Sequence, residues 1–118
     1  MRGRRTGNGD DRGAPQLTEA VAGDTLGRLI EEEPRLLLVY FWQPGCEPCR
    51  ELLPQLVKLL ERTPDLCRGL SVDVDRQPAA ALAHRVSRTP TVAFFKGGAE
   101  VHRFHGGALP ASVRRMVG

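Results

Sequence analysis

Two cysteines separated by two residues, Cys46 and Cys49, form the pattern with the clearest chemical meaning in this chain. They follow the apolar run Leu36–Trp42 and open a segment with helical periodicity. At the start of a helix, free backbone N–H groups and the helix dipole favour a thiolate. A second thiol about one turn away can attack a mixed disulfide formed by the first. The pattern therefore predicts dithiol–disulfide exchange, with Cys46 attacking and Cys49 resolving.

The composition indicates one globular domain that follows a polar tail. The chain has 118 residues, of which 41% are apolar and 26% charged. A chain of this size can bury a hydrophobic core without disulfides or metal ions to stabilise it. Residues 1–15 are rich in glycine and arginine, so we expect a disordered tail there and a folded domain over residues 16–118. Four arginines and two aspartates give the tail +2 of the net charge of +3. The nearly neutral remainder argues against nucleic-acid binding.

The apolar residues do not form the pattern expected of a membrane helix or a signal peptide. No apolar run approaches the roughly 18–20 residues that a membrane helix needs, and residues 2–15 lack the apolar core of a signal peptide. The count of three cysteines is odd, which is not typical of a disulfide framework. We therefore expect a cytoplasmic monomer that does not bind membranes.

The elements that position the two cysteines follow from hydrophobic periodicity and from breaks at proline and glycine. The run Leu36–Trp42 does not alternate, which indicates a strand covered on both faces. A stripe of leucines indicates a helix from about Cys46 to Arg62, with Pro54 expected to kink it. The other expected elements are strands at Leu17–Val21, Leu70–Val74, Thr91–Phe95 and Glu100–Phe104, and helices at Thr25–Glu33, Pro78–Arg85 and from about Leu109 to Val117. This order predicts an α/β fold with a central mixed sheet flanked by helices on both faces.

Several motifs occur in order along the chain, namely Val39-Tyr40-Phe41-Trp42, Cys46-Glu47-Pro48-Cys49-Arg50, Pro54, Val72-Asp73-Val74-Asp75, Thr89-Pro90-Thr91, Phe95-Lys96-Gly97-Gly98 and Gly106. With this order and spacing the chain resembles the thioredoxin family over about residues 17–117. The resemblance implies a thioredoxin-like fold in which the Thr89–Pro90 bond is cis and faces the dithiol. It also implies a substrate groove that includes Thr89, Pro90, Gly45 and Gly106, where backbone next to the proline pairs with an extended target segment.

The resemblance implies a protein-disulfide reductase with a redox-active disulfide between Cys46 and Cys49. Such an enzyme takes part in cell redox homeostasis and electron transport and carries no bound cofactor of its own. Its expected partners are disulfide-containing proteins and, as electron donor, an NADPH-dependent thioredoxin reductase that contains flavin. Because the same fold reduces, oxidises or isomerises disulfides, the reduction potential decides the direction of electron flow.

Four residues depart from the usual family pattern. Tyr40 takes the place of a buried aspartate thought to help deprotonate the resolving thiol, and Ser71 that of its companion lysine. A phenol with a pKa of about 10 is a poor base at pH 7, so we expect a slower resolving step. Glu47 replaces a glycine, and we expect it either to be neutral or to favour the helix start through the dipole, or else to disfavour the Cys46 thiolate. Gly45 replaces a tryptophan, which predicts a different set of targets.

Nearby residues are candidates for tuning the reactive thiol. Arg88 precedes the expected cis-proline motif and His105 precedes Gly106, so either is a cation that would favour the thiolate or else an exposed surface group. Pro48 suits the first turn of a helix, where its missing N–H costs nothing. Cys67 is expected to be a buried structural thiol, with a regulatory or dimer-forming thiol as the alternative.

Two other classes of function fit part of the pattern. A zinc site would need two more ligands beside the Cys-x-x-Cys pair, and we expect no metal there. A binding module with little turnover would use the groove beside Pro90 without redox chemistry. The departures at Tyr40 and Gly45 favour the binding module, and the retained cysteines oppose it.

Overall fold

The computed structural model describes residues 17–19 and 23–117, so the tail predicted for residues 1–15 lies outside the described residues. The elements in chain order are β1 (Leu17–Glu19), α1 (Gly23–Glu32), β2 (Leu36–Trp42), α2 (Glu47–Arg62), β3 (Cys67–Asp73), α3 (Pro78–Ala83), β4 (Thr91–Lys96), β5 (Ala99–His105) and α4 (Ala111–Val117). The five strands form one sheet in the order β1-β3-β2-β4-β5. β1, β3 and β2 are parallel, and β4 is antiparallel to β2 and β5, which confirms the predicted mixed sheet.

The central strand β2 has apolar side chains on both faces of the sheet, as its sequence predicts. Leu37 and Val39 belong to a buried cluster with residues of α1 and α3. Leu38 and Tyr40 belong to a second cluster with residues of α2 and α4. Successive side chains of a strand point to opposite faces, so a strand between two helical layers is apolar throughout. None of the helices in the described ranges is long and apolar enough to cross a membrane.

The strand β3 begins three residues earlier than the predicted start at Leu70. Cys67, Arg68 and Gly69 pair with Leu36, Leu37 and Leu38 of β2, and the strand ends at Asp73 rather than Val74. Arginine and glycine are weak strand formers, which is why the sequence pattern missed this part. Pairing with β2 determines the strand over these three residues, and β1 adds a second partner from Gly69 onward.

Other element ends differ from the prediction by one or two residues. The helix α1 covers residues 23–32 instead of 25–33, and the part of the predicted first strand beyond Glu19 lies outside the described residues. The helix α3 ends at Ala83, two residues before Arg85. Arg85 has φ = 56°, a left-handed conformation that cannot continue a helix. The guanidinium of Arg103 on β5 donates to the carbonyls of Arg85 and His84, so it satisfies the backbone at this helix end.

The predicted hairpin between β4 and β5 is confirmed. Gly97 and Gly98 have φ = 61° and 87° and form the two-residue connection. A turn that needs positive φ at both central positions favours glycine, and its twist matches the flanking strands. The hairpin thereby places the end of β5 beside the start of β4, where Thr91 pairs with His105.

Candidate functional site

The two cysteines lie at the junction between the end of β2 and the start of α2. Trp42 ends the strand, and Cys46 is the N-cap of the helix, with extended backbone at φ = −89° and ψ = 106°. Gly45 has φ = 80°, which glycine adopts without strain, and this turn directs the chain into the helix. Pro48 lies in the first turn, as predicted, where no intrahelical donor is lost.

The cysteines form a disulfide, and their environments are unequal. Their Cα atoms are 5.2 Å apart. Cys46 is partly exposed, whereas Cys49 is 2% exposed and belongs to the core. The backbone N–H of Cys49 donates to Cys46 Sγ at 3.2 Å. A partly exposed cysteine whose sulfur accepts a hydrogen bond at a helix N-terminus suits the attacking role, because the donor and the dipole both favour its thiolate.

Glu47 extends into solvent beside the dithiol. Its side chain is 68% exposed and forms an ion pair with Arg50 at 3.1 Å. Water and the neighbouring guanidinium both screen the carboxylate from Cys46. This geometry supports the neutral or helix-starting interpretation of Glu47 over the redox-tuning one.

Tyr40 lies beneath the resolving cysteine. The residue is 3% exposed, and its hydroxyl donates to the carbonyl of Cys49 at 2.7 Å. Burial raises the pKa of Tyr40 to about 12, so the phenol is protonated at neutral pH. Tyr40 is therefore a hydrogen-bond donor to the backbone at this site and an even poorer base than its sequence suggests. Ser71 lies opposite Tyr40 on the adjacent strand.

The predicted groove residues are connected to the dithiol by hydrogen bonds. The Thr89–Pro90 bond is cis, as the resemblance implies. The hydroxyl of Thr89 donates to Oε1 of Gln43 at 2.8 Å, which joins the proline loop to the segment leading into Cys46. The N–H of Gly106 donates to the carbonyl of Pro90 at 3.3 Å. The structure thus brings together Thr89, Pro90 and Gly106 next to the loop that carries the attacking cysteine.

Gln55 is a residue of this region that the sequence analysis did not identify. Its Nε2 donates to the carbonyl of Gly107 at 2.9 Å, and its Oε1 accepts from the N–H of Leu109 at 3.0 Å. A Cβ added at Gly107 would lie 3.2 Å from the carbonyl oxygen of Pro48, so this loop packs tightly on the start of α2. In the sequence Gln55 is only a polar residue on a helix, and no local signal distinguishes it from its solvent-facing neighbours.

His105 and Arg88 are connected through Thr91. The hydroxyl of Thr91 donates to the carbonyl of Arg88 at 2.7 Å and lies 2.9 Å from Nδ1 of His105. Because a hydroxyl has one proton, His105 Nδ1 is the donor in the second bond. Desolvation, together with Arg88 and Arg103, holds the pKa of His105 below its usual value. This argues against a cationic His105 at neutral pH, and the hypothesis of cationic tuning then rests on Arg88.

The third cysteine has the features of a structural thiol. Cys67 is free and 2% exposed. Burial raises its pKa to about 12, and a thiol with this pKa is inert at neutral pH. Within residues 17–19 and 23–117, no cluster of three or more His, Cys, Asp or Glu side chains is arranged to hold a metal ion. The zinc interpretation therefore has no further ligands in this part of the chain.

Comparison with known proteins places this geometry in a family. A family model described as Thioredoxin matches residues 18–117. The chain belongs to the thioredoxin family. Thioredoxin-2 of Saccharomyces cerevisiae is 35% identical over 101 residues, which cover 86% of this chain and 95% of that protein. Chloroplastic thioredoxin Y of Oryza sativa is 32% identical over 84 residues, and the match covers 71% of this chain but only 49% of that protein.

The solved structures agree with the family and its fold. The X-ray structure of Fasciola hepatica thioredoxin superposes with a TM-score of 0.76 at 33% identity and covers 85% of this chain and 95% of that one. The chain therefore has the thioredoxin-like fold that the resemblance implies. The Cys46–Cys49 disulfide at this position of the fold is consistent with thiol–disulfide oxidoreductase function.

Proposed function

We propose that this protein reduces disulfide bonds in other proteins, with Cys46 as the attacking residue and Cys49 as the resolving residue. One observation carries the proposal. Cys46 is partly exposed and its sulfur accepts a hydrogen bond at a helix N-terminus, whereas the cysteine bonded to it is only 2% exposed. A target disulfide therefore meets Cys46 first, and Cys49 acts only within the mixed disulfide.

The proposed reaction has two exchange steps. The Cys46 thiolate attacks one sulfur of the target disulfide, the target S–S bond breaks, and the second target sulfur leaves as a thiolate. Cys49 then loses its proton and attacks Cys46 Sγ, which releases the first target sulfur as a thiolate and closes the Cys46–Cys49 disulfide. Two electrons pass from the protein to the target. Tyr40 donates to the Cys49 carbonyl and does not accept the proton of the Cys49 thiol, because its pKa of about 12 keeps the phenol protonated.

The target is proposed to bind as an extended segment along the proline loop. Backbone next to Pro90 would pair with the segment, while Gly45 and Gly106 leave room for its backbone because neither has a side chain. The bonds from Thr89 to Gln43 and from Gly106 to Pro90 support a common site with the dithiol. Arg88 is proposed to favour the Cys46 thiolate by its charge.

The oxidised protein needs a source of electrons for the next cycle. The thioredoxin family acts with thioredoxin reductase, and we propose an NADPH-dependent reductase of this kind as the donor. Cell redox homeostasis and electron transport are the proposed processes, and the cytoplasm is the proposed compartment.

A disulfide-reduction assay with insulin tests the proposal. We expect turnover with dithiothreitol as the reductant, none for Cys46→Ser, and a trapped mixed disulfide with insulin for Cys49→Ser. The matched control is Cys67→Ser, which removes a cysteine without touching the dithiol and is expected to retain turnover. Wild-type protein that binds insulin but never reduces it would favour the binding module instead.

The direction of electron flow is tested by the reduction potential of the Cys46–Cys49 pair. We expect equilibration with glutathione to give a value at or below the cytosolic poise of about −220 to −260 mV, as a reductase requires. A potential near −120 mV, which is about that of a strong oxidant, would favour an oxidase instead.

A further inference from the structure

A cavity of about 670 Å³ opens between the start of α2 and the β1–β3–β2 side of the sheet. Its walls are mainly apolar and include Leu17, Tyr40, Trp42, Leu53, Val57 and Ser71. Cavities of roughly 300–1,000 Å³ with apolar walls and a few polar groups are typical of ligand sites. The volume is therefore sufficient for a large side chain or a small molecule.

The cavity adjoins the dithiol. Gly45, which precedes the attacking cysteine, and Cys49, its disulfide partner, both line the cavity. A Cβ added at Gly45 would meet no atom within 4 Å, so the space beside this residue is open. Any disulfide attacked by Cys46 must come into sulfur–sulfur contact with it, which brings the target close to Gly45, the residue before Cys46 and part of the cavity wall. The cavity is thus continuous with the surface that the reaction brings into contact with a target.

The cavity wall is mainly apolar, and two of its polar groups have partners of their own. The Tyr40 hydroxyl donates to the Cys49 carbonyl, and Arg50 at the rim pairs with Glu47. Leu53, a large apolar residue of α2, is 39% exposed. Removing this apolar surface from water is favourable, and an apolar group achieves it without competing for the bonds of Tyr40 and Arg50.

We propose that this cavity receives a large aliphatic or aromatic side chain of the target protein, close in sequence to the cysteine that Cys46 attacks. The inference rests on the proposed reductase function, and it specifies the class of target: proteins that present leucine, phenylalanine or a similar residue next to an accessible disulfide. Gly45 makes this possible because a larger residue there would project into the open space beside the attacking sulfur. Burial of one such side chain corresponds to a roughly 10- to 100-fold gain in kcat/KM over alanine.

The experiment compares disulfide-linked peptides that differ only in the two residues on either side of the reacting cysteine. Each of these positions is alanine, leucine or phenylalanine in turn, and the wild-type protein is expected to prefer leucine or phenylalanine at one of them. In Ser71→Leu, which fills the cavity, this preference ratio is expected to fall at least fivefold. Leu53→Ala removes part of the wall and provides a second test should the first variant not fold. Leu82→Ala, at a leucine on α3 that is 80% exposed, is the matched control and is expected to keep the ratio.

Each result decides the inference. Equal kcat/KM for all peptides, or a preference that persists in both cavity variants, would overturn it while the reductase function stands. If the protein reduced none of the peptides, the proposed function would be overturned as well. The fluorescent probe 8-anilinonaphthalene-1-sulfonate tests for a small-molecule site, and tight binding that the leucine peptides do not displace would contradict our proposal. A dimer of the wild type that dissociates in Ser71→Leu would instead assign the cavity to a second copy of this chain.

Discussion

The side chain at position 40 lies under the resolving cysteine, and two substitutions there separate packing from proton transfer. Tyr40→Phe removes a 2.7 Å hydrogen bond to the Cys49 carbonyl and keeps the ring. Such a bond contributes about 1 kcal/mol to the free energy of unfolding, so we expect Tm to fall by about 4–8 °C in a domain of this size. The resolving rate should change less than about twofold, because the lost proton donor contacts a carbonyl and not a sulfur.

Tyr40→Asp introduces a carboxylate at a position that is 3% exposed. Burial raises a carboxyl pKa, and a rise of about 2–3 units costs about 3–4 kcal/mol at neutral pH. This penalty is absent below the unfolded pKa of about 3.9 and grows as the pH rises towards the folded pKa. A carboxylate with its pKa nearer 7 is a better base than a phenol, so we expect the resolving step to accelerate by about tenfold or more.

Stopped-flow absorbance with a chromogenic aryl disulfide measures the two exchange steps separately. The first thiolate released reports attack by Cys46, and the second reports resolution by Cys49. A Cys67→Ser background removes the third thiol, and circular dichroism establishes that each variant is folded. The reasoning would be refuted if folded Tyr40→Asp showed the same second phase as Tyr40→Phe.

Three further predictions concern groups outside the Cys46–Cys49 pair. Arg35 and Arg68 hold the pKa of buried Glu33 down from 4.5 to about 2. This pKa shift corresponds to about 3 kcal/mol of folding free energy, and solvent screening lowers the contribution to about 1–2 kcal/mol because Arg35 is 39% exposed. Urea titration should therefore show that Glu33→Gln is less stable than the wild type by about 1–2 kcal/mol at pH 7. The difference should close as the pH falls below 4.5, where Glu33 becomes protonated in the unfolded state. Cys67, with a pKa raised from 9.0 to about 12, should react with iodoacetamide at pH 8 about a thousandfold more slowly than an ordinary thiol and should be labelled fully only after unfolding. Gln55→Leu removes two bonds to the loop after β5 and should lower the free energy of unfolding by about 1–3 kcal/mol while raising KM for protein targets.

Each of these predictions has a control and a contrary outcome. Glu61 is exposed on α2, so Glu61→Gln and Glu61→Leu match the substitutions at Glu33 and Gln55 without touching a buried contact. A Glu33→Gln deficit that persisted at pH 2 would show that packing, and not charge, is lost. Rapid native labelling of Cys67 would contradict its burial. An unchanged KM in Gln55→Leu would show that the loop keeps its position without these bonds.

Much of the site was predictable because its signals are local. The Cys46–Cys49 spacing, the apolar run before it and the leucine stripe after it identify a dithiol at a strand-to-helix junction. Gly97 and Gly98 identify the hairpin for the same reason, since a turn with positive φ is encoded by the residues within it.

Other features depended on residues far apart in the chain. The start of β3 at Cys67 is imposed by its pairing with Leu36 of β2, 31 positions earlier in the chain. The bond from Gln55 joins a helix to a carbonyl 52 positions away, at Gly107.

The sequence by itself determined the reacting atoms, the order of the elements and the class of fold, because periodicity and spacing act within one or two turns of the chain. Only the tertiary structure decided that Tyr40 donates to the backbone of Cys49, that desolvation and nearby arginines lower the pKa of His105, and that an open cavity adjoins the sulfur pair. Hydrogen-bond partners, desolvation and cavity volume are properties of groups that meet only when the chain has folded.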